Sequence, residues 1–290
     1  MSSNKKLISV IMPVYNSSSS LLKKSIDSIL SQTYDNLELI TVMDRSSPEV
    51  DNEILTVIDS NKDDHRLKNV LHTTKKGLVA SLNDGISLSK GQYIARADCD
   101  DISSSERLEC QLTFLEENRN DLVGSWAYVT DRKERIIGKL KLPTDSKSIR
   151  NSIMIHNVIL HSSVLMKKEV LENVGGYNPA FRGSEDYELW LRILSNGYSL
   201  GNCPMYLLYL RESPESITRG KNWFENRVAY FKSKGYACCK YHYLRPVDVS
   251  CCVLSLASLM VLPSMSLSVK KLLRIFNEVP SELDPIYMPD

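Results

Sequence analysis

The sequence predicts an α/β fold, a mostly parallel central sheet flanked by helices, and three observations carry that expectation. Short, continuous apolar runs of β-branched character stand where strands buried on both faces would. Between them, apolar residues recur at helical spacing. The two patterns alternate at intervals that fit βαβ units, which pair parallel strands. In such sheets ligands bind outside the carboxyl ends of the strands.

The elements follow in order. Residues 7–12 (LISVIM) form the first run, broken by Pro13-Val14-Tyr15-Asn16, and the serines at 17–20 offer N-caps for a helix. Leu21, Leu22, Ser25, Ile26, Ile29 and Leu30 line one face of that helix. Leu37–Met43 is a second buried strand, ending at Asp44 and the turn Arg45-Ser46-Ser47-Pro48. Ile54, Leu55, Val57 and Ile58 supply a helix, Leu67–Leu71 a third strand, and Leu78, Leu82, Ile86 and Leu88 another helical face. A strand around Tyr93 then leads into Asp98, Asp100 and Asp101.

Three carboxylates within four positions repel one another, and a fold seldom tolerates that without a counter-charge. A hard divalent cation, Mg²⁺ or Mn²⁺, is the natural one, since it takes carboxylate and phosphate oxygens. A solvated acidic turn, or charges at the N-terminus of the helix starting near Ser105, is the competing reading. By pleat alternation Arg96 falls on the same face as Asp98 if the strand extends that far, available to neutralise a carboxylate or a phosphate. Lys76 and Arg107 are alternative positive groups. Neither a G-x-G-x-x-G after the first strand nor a P-loop occurs, so a phosphate must be held another way.

Length suits one large α/β domain, alone or with an appendage, and the composition is ordinary: 290 residues, 42% apolar, 24% charged, net charge +1. That balance gives no electrostatic argument for nucleic acid. The seven cysteines include two adjacent doublets and no C-x-x-C pair, which argues against a zinc ribbon or disulfide framework and for reduced thiols in the cytosol. Too few apolar residues precede Pro13 for a signal peptide.

In the second half, residues 122–129 read as a strand and 132–142 as a charged hairpin with Gly138 near its turn. His161 sits between two apolar patches, as a core residue or as a ligand for substrate or phosphate. Gly175-Gly176 predicts positive φ and a turn delivering Tyr177 and the loop 178–184. Ser184 is the N-cap of a helix with Leu189, Ile193 and Leu194 inward. Glu185 and Asp186 in its first turn either complement the helix dipole or do acid–base work. At least one strand falls within 197–211.

These blocks together resemble glycosyltransferase family two, the inverting enzymes of the Rossmann-like GT-A fold. The resemblance runs through Ser9-Val10-Ile11-Met12-Pro13-Val14-Tyr15-Asn16, Gly77-Leu78 to Asn83-Asp84-Gly85, and Tyr93-Ile94-Ala95-Arg96-Ala97-Asp98-Cys99-Asp100-Asp101. It continues in His161-Ser162-Ser163, Gly175-Gly176-Tyr177-Asn178 and Glu185-Asp186-Tyr187-Glu188-Leu189-Trp190, covering about residues 7–220. It implies a GT-A domain over 1–220, with a nucleotide-sugar half (1–103) and an acceptor half (104–220), and a C-terminal helical segment over 221–290. It further implies a UDP-sugar donor, Mn²⁺ or Mg²⁺ on Asp100 and Asp98, and Asp186 as catalytic base with Glu185 next in line. On the donor side stand Pro13, Tyr15, Asn16, Asp44, Lys76, Arg96 and Asp98. Asp44 would accept from the uracil N–H, or else cap the following helix; Tyr15 would stack on base or ribose, or else be core edge. His161, Tyr177 and Trp190 fall on the acceptor side, and Arg211, with Ser213, Ser216 and Thr218, resembles a loop near the donor diphosphate. Ser213 replaces a frequent histidine, Lys75 a frequent asparagine, and Arg45-Ser46-Ser47 the usual Asp-Gly-Ser turn, so base and diphosphate contacts differ accordingly.

The activity so implied is hexose transfer, with inversion, from a UDP-sugar to a glycan, a lipid-diphosphate-linked sugar of O-antigen type. A metal-dependent nucleotidyltransferase and a non-catalytic carbohydrate-binding domain are the alternatives. Near the C-terminus a basic, aromatic stretch (Lys232, Lys234, Tyr236, Lys240, Tyr241, Tyr243, Arg245) precedes 21 uncharged residues, 249–269, with six serines and Pro263. That run reads as a membrane span, an interfacial helix or a packing helix. The interfacial reading places the enzyme on the cytoplasmic face of the inner membrane, beside lipid-diphosphate sugars.

Overall fold

The computed structural model describes residues 5–211 and 223–258. Its strands are β1 (Ile8–Val14), β2 (Leu37–Met43), β3 (Leu67–Leu71), β4 (Tyr93–Arg96), β5 (Ile102–Ser103), β6 (Leu122–Thr130), β7 (Ile136–Leu140), β8 (Leu165–Lys167) and β9 (Leu200–Arg211). Its helices are α1 (Ser19–Leu30), α2 (Pro48–Asp59), α3 (Leu78–Leu88), α4 (Arg107–Glu117), α5 (Ser146–Ser152), α6 (Lys168–Val174), α7 (Glu185–Ser195), α8 (Trp223–Lys240) and α9 (Pro246–Ser258).

The sheet runs β3-β2-β1-β4-β8-β6-β9-β5, with β7 added to β6. The first four strands are parallel, as the alternating pattern requires. Every residue of β1 and β2 is buried, which is why these runs are apolar on both faces. Past β4 the sheet turns mixed: β8 is antiparallel to β4 and β6, and β9 lies parallel to β6.

Pro13 does not break β1, which runs on to Val14. Ile11 faces β4, accepting from Ala97 N, and Val14 faces β2, accepting from Asp44 N. By alternation the N–H that Pro13 lacks would point past the end of β4, where the ladder needs no donor.

Two apolar layers cover the sheet. One joins β1, β2 and β4 to α1, α2 and α4. The other gathers α3, α5, α6 and α7 on the opposite face. Gly85 lets α3 approach closely: a Cβ there would lie 2.6 Å from Ile11 Cγ2. That second layer also takes in Ala237 of α8 and Tyr243 beyond it. Tyr230 packs on Tyr187 with centroids 4.9 Å apart, and Tyr243 donates to the Leu191 carbonyl. A boundary at residue 220 thus runs through a continuous core, and α8 belongs to the body that carries α7.

Two local expectations are corrected. The hairpin turn lies at residues 131–135, where Asp131 accepts from the Lys133 and Arg135 backbone; Gly138 sits inside β7 opposite Val129. Asp101 caps no helix, since α4 begins after Glu106 and Asp101 is bonded to β9. All seven cysteines are free thiols. Ser213, Ser216 and Thr218, and the uncharged run beyond residue 258, lie outside the described residues.

Candidate functional site

The crevice opens at the carboxyl ends of β1, β2 and β4. Arg96 closes β4, is buried, and donates from Nη2 to Asp98 Oδ1 at 2.5 Å. Burial works to raise the Asp98 pKa, but the groups around it, Arg96 foremost, hold the carboxyl below its ordinary value. Arg96 therefore neutralises Asp98. Its Nε, also buried, has no partner.

Arg107 does not face the crevice. It is fully buried behind β4, donating to Gln111, Ser103 and the Arg96 carbonyl, and burial pulls its pKa down to about 10. Arg107→Leu is expected to cost about 3 kcal/mol or more, because three buried acceptors lose their donor at once; the urea midpoint reads it. Lys76 is exposed and paired with Asp84 at 3.0 Å.

The three aspartates have separate places. Asp101 is buried, accepts from Arg211 N at 2.9 Å, and is pushed by burial and then by Asp98 up to about 8. It fastens the end of β9 to the cluster, which brings Arg211 to the acidic edge. Arg211 also donates to the Arg132 carbonyl. Asp100 is exposed at the rim, yet the crevice wall and then Asp98 raise it to about 6.

An exposed carboxylate unfavourably charged beside a second one fits a hard cation. No cluster of three or more metal-ligating side chains occurs among the described residues. Asp100 and Asp98 would thus supply part of a coordination sphere, the rest coming from phosphate and water, as suits Mg²⁺ and Mn²⁺.

The donor wall is built from the ends of β1 and β2. Tyr15 is 45% exposed and Asn16 takes a positive φ of 50°. Lys75 Nζ donates to the Tyr15 hydroxyl at 2.6 Å and lies 4.2 Å from the ring centroid. Tyr15 is thus a rim residue, not core edge, while Pro13 is buried within β1 and can only shape the turn. Asp44 does not cap α2, where Ser47 accepts from Val50 N. Its Oδ1 accepts from Lys76 N and His72, its Oδ2 from Gly77 N, leaving one lone pair of Oδ2 for a further donor.

On the acceptor side the helix α7 begins after Ser184, whose hydroxyl bonds Ser233 of α8 rather than capping. Asp186 Oδ2 accepts from Asn157 Nδ2 at 2.9 Å. Burial, then the Glu185 charge, push Asp186 up to about 7. Glu185 turns back to accept from Gly183 N at 2.6 Å. Two expected acceptor contacts are corrected: Trp190 is fully buried and Tyr177 is 3% exposed. Both serve His161, whose Nε2 meets the Tyr177 hydroxyl at 2.8 Å while Trp190 packs edge-on. Burial and then Arg96 drive His161 down to about 3, so it stays neutral beneath the acidic cluster.

Asn157 and His72 escaped the sequence reading. Asn157 lies 29 positions from the carboxylate it holds, and no local pattern marks such a pair.

The profile of the family described as Glycosyl transferase family 2 matches residues 9–175. A UDP-Glc:alpha-D-GlcNAc-diphosphoundecaprenol beta-1,3-glucosyltransferase, WfgD of Escherichia coli, is 31% identical over 74% of this chain and 81% of the relative. Two solved structures show the fold. TarS of S. aureus in complex with UDP has a TM-score of 0.57 at 18% identity, covering 78% of this chain, which spans only 65% of that one. Mannosyltransferase PcManGT of Pyrobaculum calidifontis, in complex with GDP-Man and Mn2+, has a TM-score of 0.58 at 18% identity, covering 94% of this chain and 82% of that one.

Proposed function

The chain belongs to glycosyl transferase family 2 and is a glycosyltransferase of the GT-A fold, and from that premise we propose that it moves a hexose from a UDP-sugar, with inversion, onto a lipid-diphosphate-linked glycan. The observation that carries this is Asp186: a half-buried carboxylate whose proton affinity is poised near neutrality and whose Oδ2 is fixed by Asn157. One base and no second nucleophile is what a single displacement needs.

In this reading Asp186 takes the acceptor hydroxyl proton as that oxygen attacks the anomeric carbon from the side opposite the diphosphate. Asn157 fixes the carboxylate's direction, and Tyr230 reaches Asn157 from α8. Asp100 and Asp98 would hold Mn²⁺ or Mg²⁺, which when bound would stabilise the negative charge of the departing diphosphate. Tyr15 and Asp44 frame the base, Lys75 and Lys76 line the exposed wall beside them, and Arg211 stands at the diphosphate edge. The UDP donor and lipid-diphosphate acceptor rest on the likeness to WfgD.

The test is UDP release from UDP-Glc, UDP-Gal and UDP-GlcNAc, with GDP-Man as control, in the presence and absence of a GlcNAc-diphosphate lipid. Acceptor-dependent release from one UDP-sugar is expected. Release from GDP-Man alone would overturn the donor class.

The same reading puts the enzyme at a membrane surface through α9. Val247, Val249, Val253, Leu254 and Leu256 are all exposed there, while Cys251, Cys252 and Ser255 turn toward α8. An apolar helix face of this kind fits the headgroup–lipid boundary of a membrane. No described helix is long and apolar enough to cross a membrane. V253E/L254E is expected to lose flotation with anionic vesicles while keeping UDP affinity. If the wild-type protein does not float at low salt, the interfacial assignment fails.

A further inference from the structure

His72 is buried at the carboxyl end of β3 and both its ring nitrogens face carboxylates: Nδ1 lies 3.1 Å from Asp44 Oδ1 and Nε2 lies 3.0 Å from Asp84 Oδ2. An ionised carboxylate can only accept, so each contact is a hydrogen bond only if that nitrogen carries a proton. A neutral ring would aim a lone pair at one of the two oxygens. The proton does not belong on the aspartates. Burial works to raise Asp44, but the Lys76 and Gly77 backbone N–H groups hold it below its ordinary value, and Asp84 is held low by Lys76.

We propose that His72 is an imidazolium bridge that positions the donor wall, tying the end of β2 to α3 across the loop 73–77. The bridge aligns Asp44, which carries the Lys76 and Gly77 backbone; the adjoining Lys75 in turn holds Tyr15. The charged groups around it are Asp44 from β2, Asp84 from α3 and Lys76 Nζ, which shares Asp84 Oδ2. Among the described residues no other positive side chain meets either of these two oxygens. His72 thus acts on the donor through Asp44 and the loop, as a positioning residue. This rests on the reading that the crevice takes a UDP-sugar.

Two measurements test it. Nitrogen NMR of the imidazole in the whole protein, without ligand, is expected to show both ring nitrogens of His72 protonated at about pH 7. Calorimetry with UDP and Mn²⁺ is expected to show His72→Gln binding about tenfold more weakly, since one amide cannot bridge both carboxylates, with kcat at saturating donor unchanged. Asp84→Asn, at a partly exposed position, is expected to weaken UDP in the same direction and to leave one ring nitrogen unprotonated. A neutral His72 tautomer at about pH 7, or an unchanged UDP affinity in His72→Gln, overturns the proposal. If wild-type protein binds no UDP at all, the donor reading falls instead, and the NMR result still decides the bridge.

Discussion

Asp186→Asn is expected to lower turnover by about 10²–10⁴ while UDP affinity stays near that of the wild type. Asparagine keeps the shape and the approach to Asn157 but cannot take a proton. The same substitution should not destabilise the fold. Burial and Glu185 raise the folded pKa of Asp186 to about 7, above its value in the unfolded chain. Its ionisation therefore works against folding: stability is lost as pH rises from the unfolded pKa to the folded one, and stays lost above. At alkaline pH the asparagine variant is expected to melt higher than the wild type. Turnover of the wild type should rise with pH to a plateau, half-maximal near the value of about 7. Glu185→Gln should be mild, because Glu185 accepts from Gly183 N, which an amide oxygen can also meet, and favours the helix N-terminus by about 0.3–1 kcal/mol. A purely structural role for the pair would give the opposite pattern, with lower melting points and nearly normal rates.

Removing the divalent ion is expected to be as severe. Chelation should suppress turnover by about 10³ or more, since charge on the leaving diphosphate then lacks several kcal/mol of stabilisation. Added Mn²⁺ or Mg²⁺ should restore it. Asp100→Ala is the informative variant, because Asp100 is exposed and forms no ion pair among the described residues. It should abolish metal-dependent UDP binding without harming the fold, and by removing a like charge it should raise stability slightly. Asp98→Asn would be ambiguous: it removes the countercharge of the buried Arg96, which lowers stability by itself. Full activity in excess chelator would remove the metal from the mechanism.

Much of the donor half was legible because buried parallel strands need apolar runs, and β1 to β3 are such runs ending in polar residues. The acidic cluster was legible for the same reason: three charges after a short apolar strand need an explanation. Arg96 does pair with Asp98, but β4 ends at Arg96, so the pair is made in the turn beyond the strand and not by alternation along it. The acceptor side was harder. Tyr177 and Trp190 carry polar atoms that suit either a wet cleft or a core, and only packing around His161 decides for the core. Nor does composition show that α8 joins the catalytic body, since its contacts are made by Tyr230 and Ser233 from an otherwise mixed helix. Asp186 could be placed at a helix start, but its poised proton affinity comes from burial that no sequence pattern displays. The nucleotidyltransferase alternative falls with the family assignment.

The most direct test of a single displacement led by Asp186 is the anomeric configuration of the product. With an α-linked UDP-sugar as donor, proton NMR of the new glycosidic bond should show the β anomer from the first turnover onward. An α-linked product would require a second displacement and a nucleophile that this crevice has not been assigned, and would contradict the account.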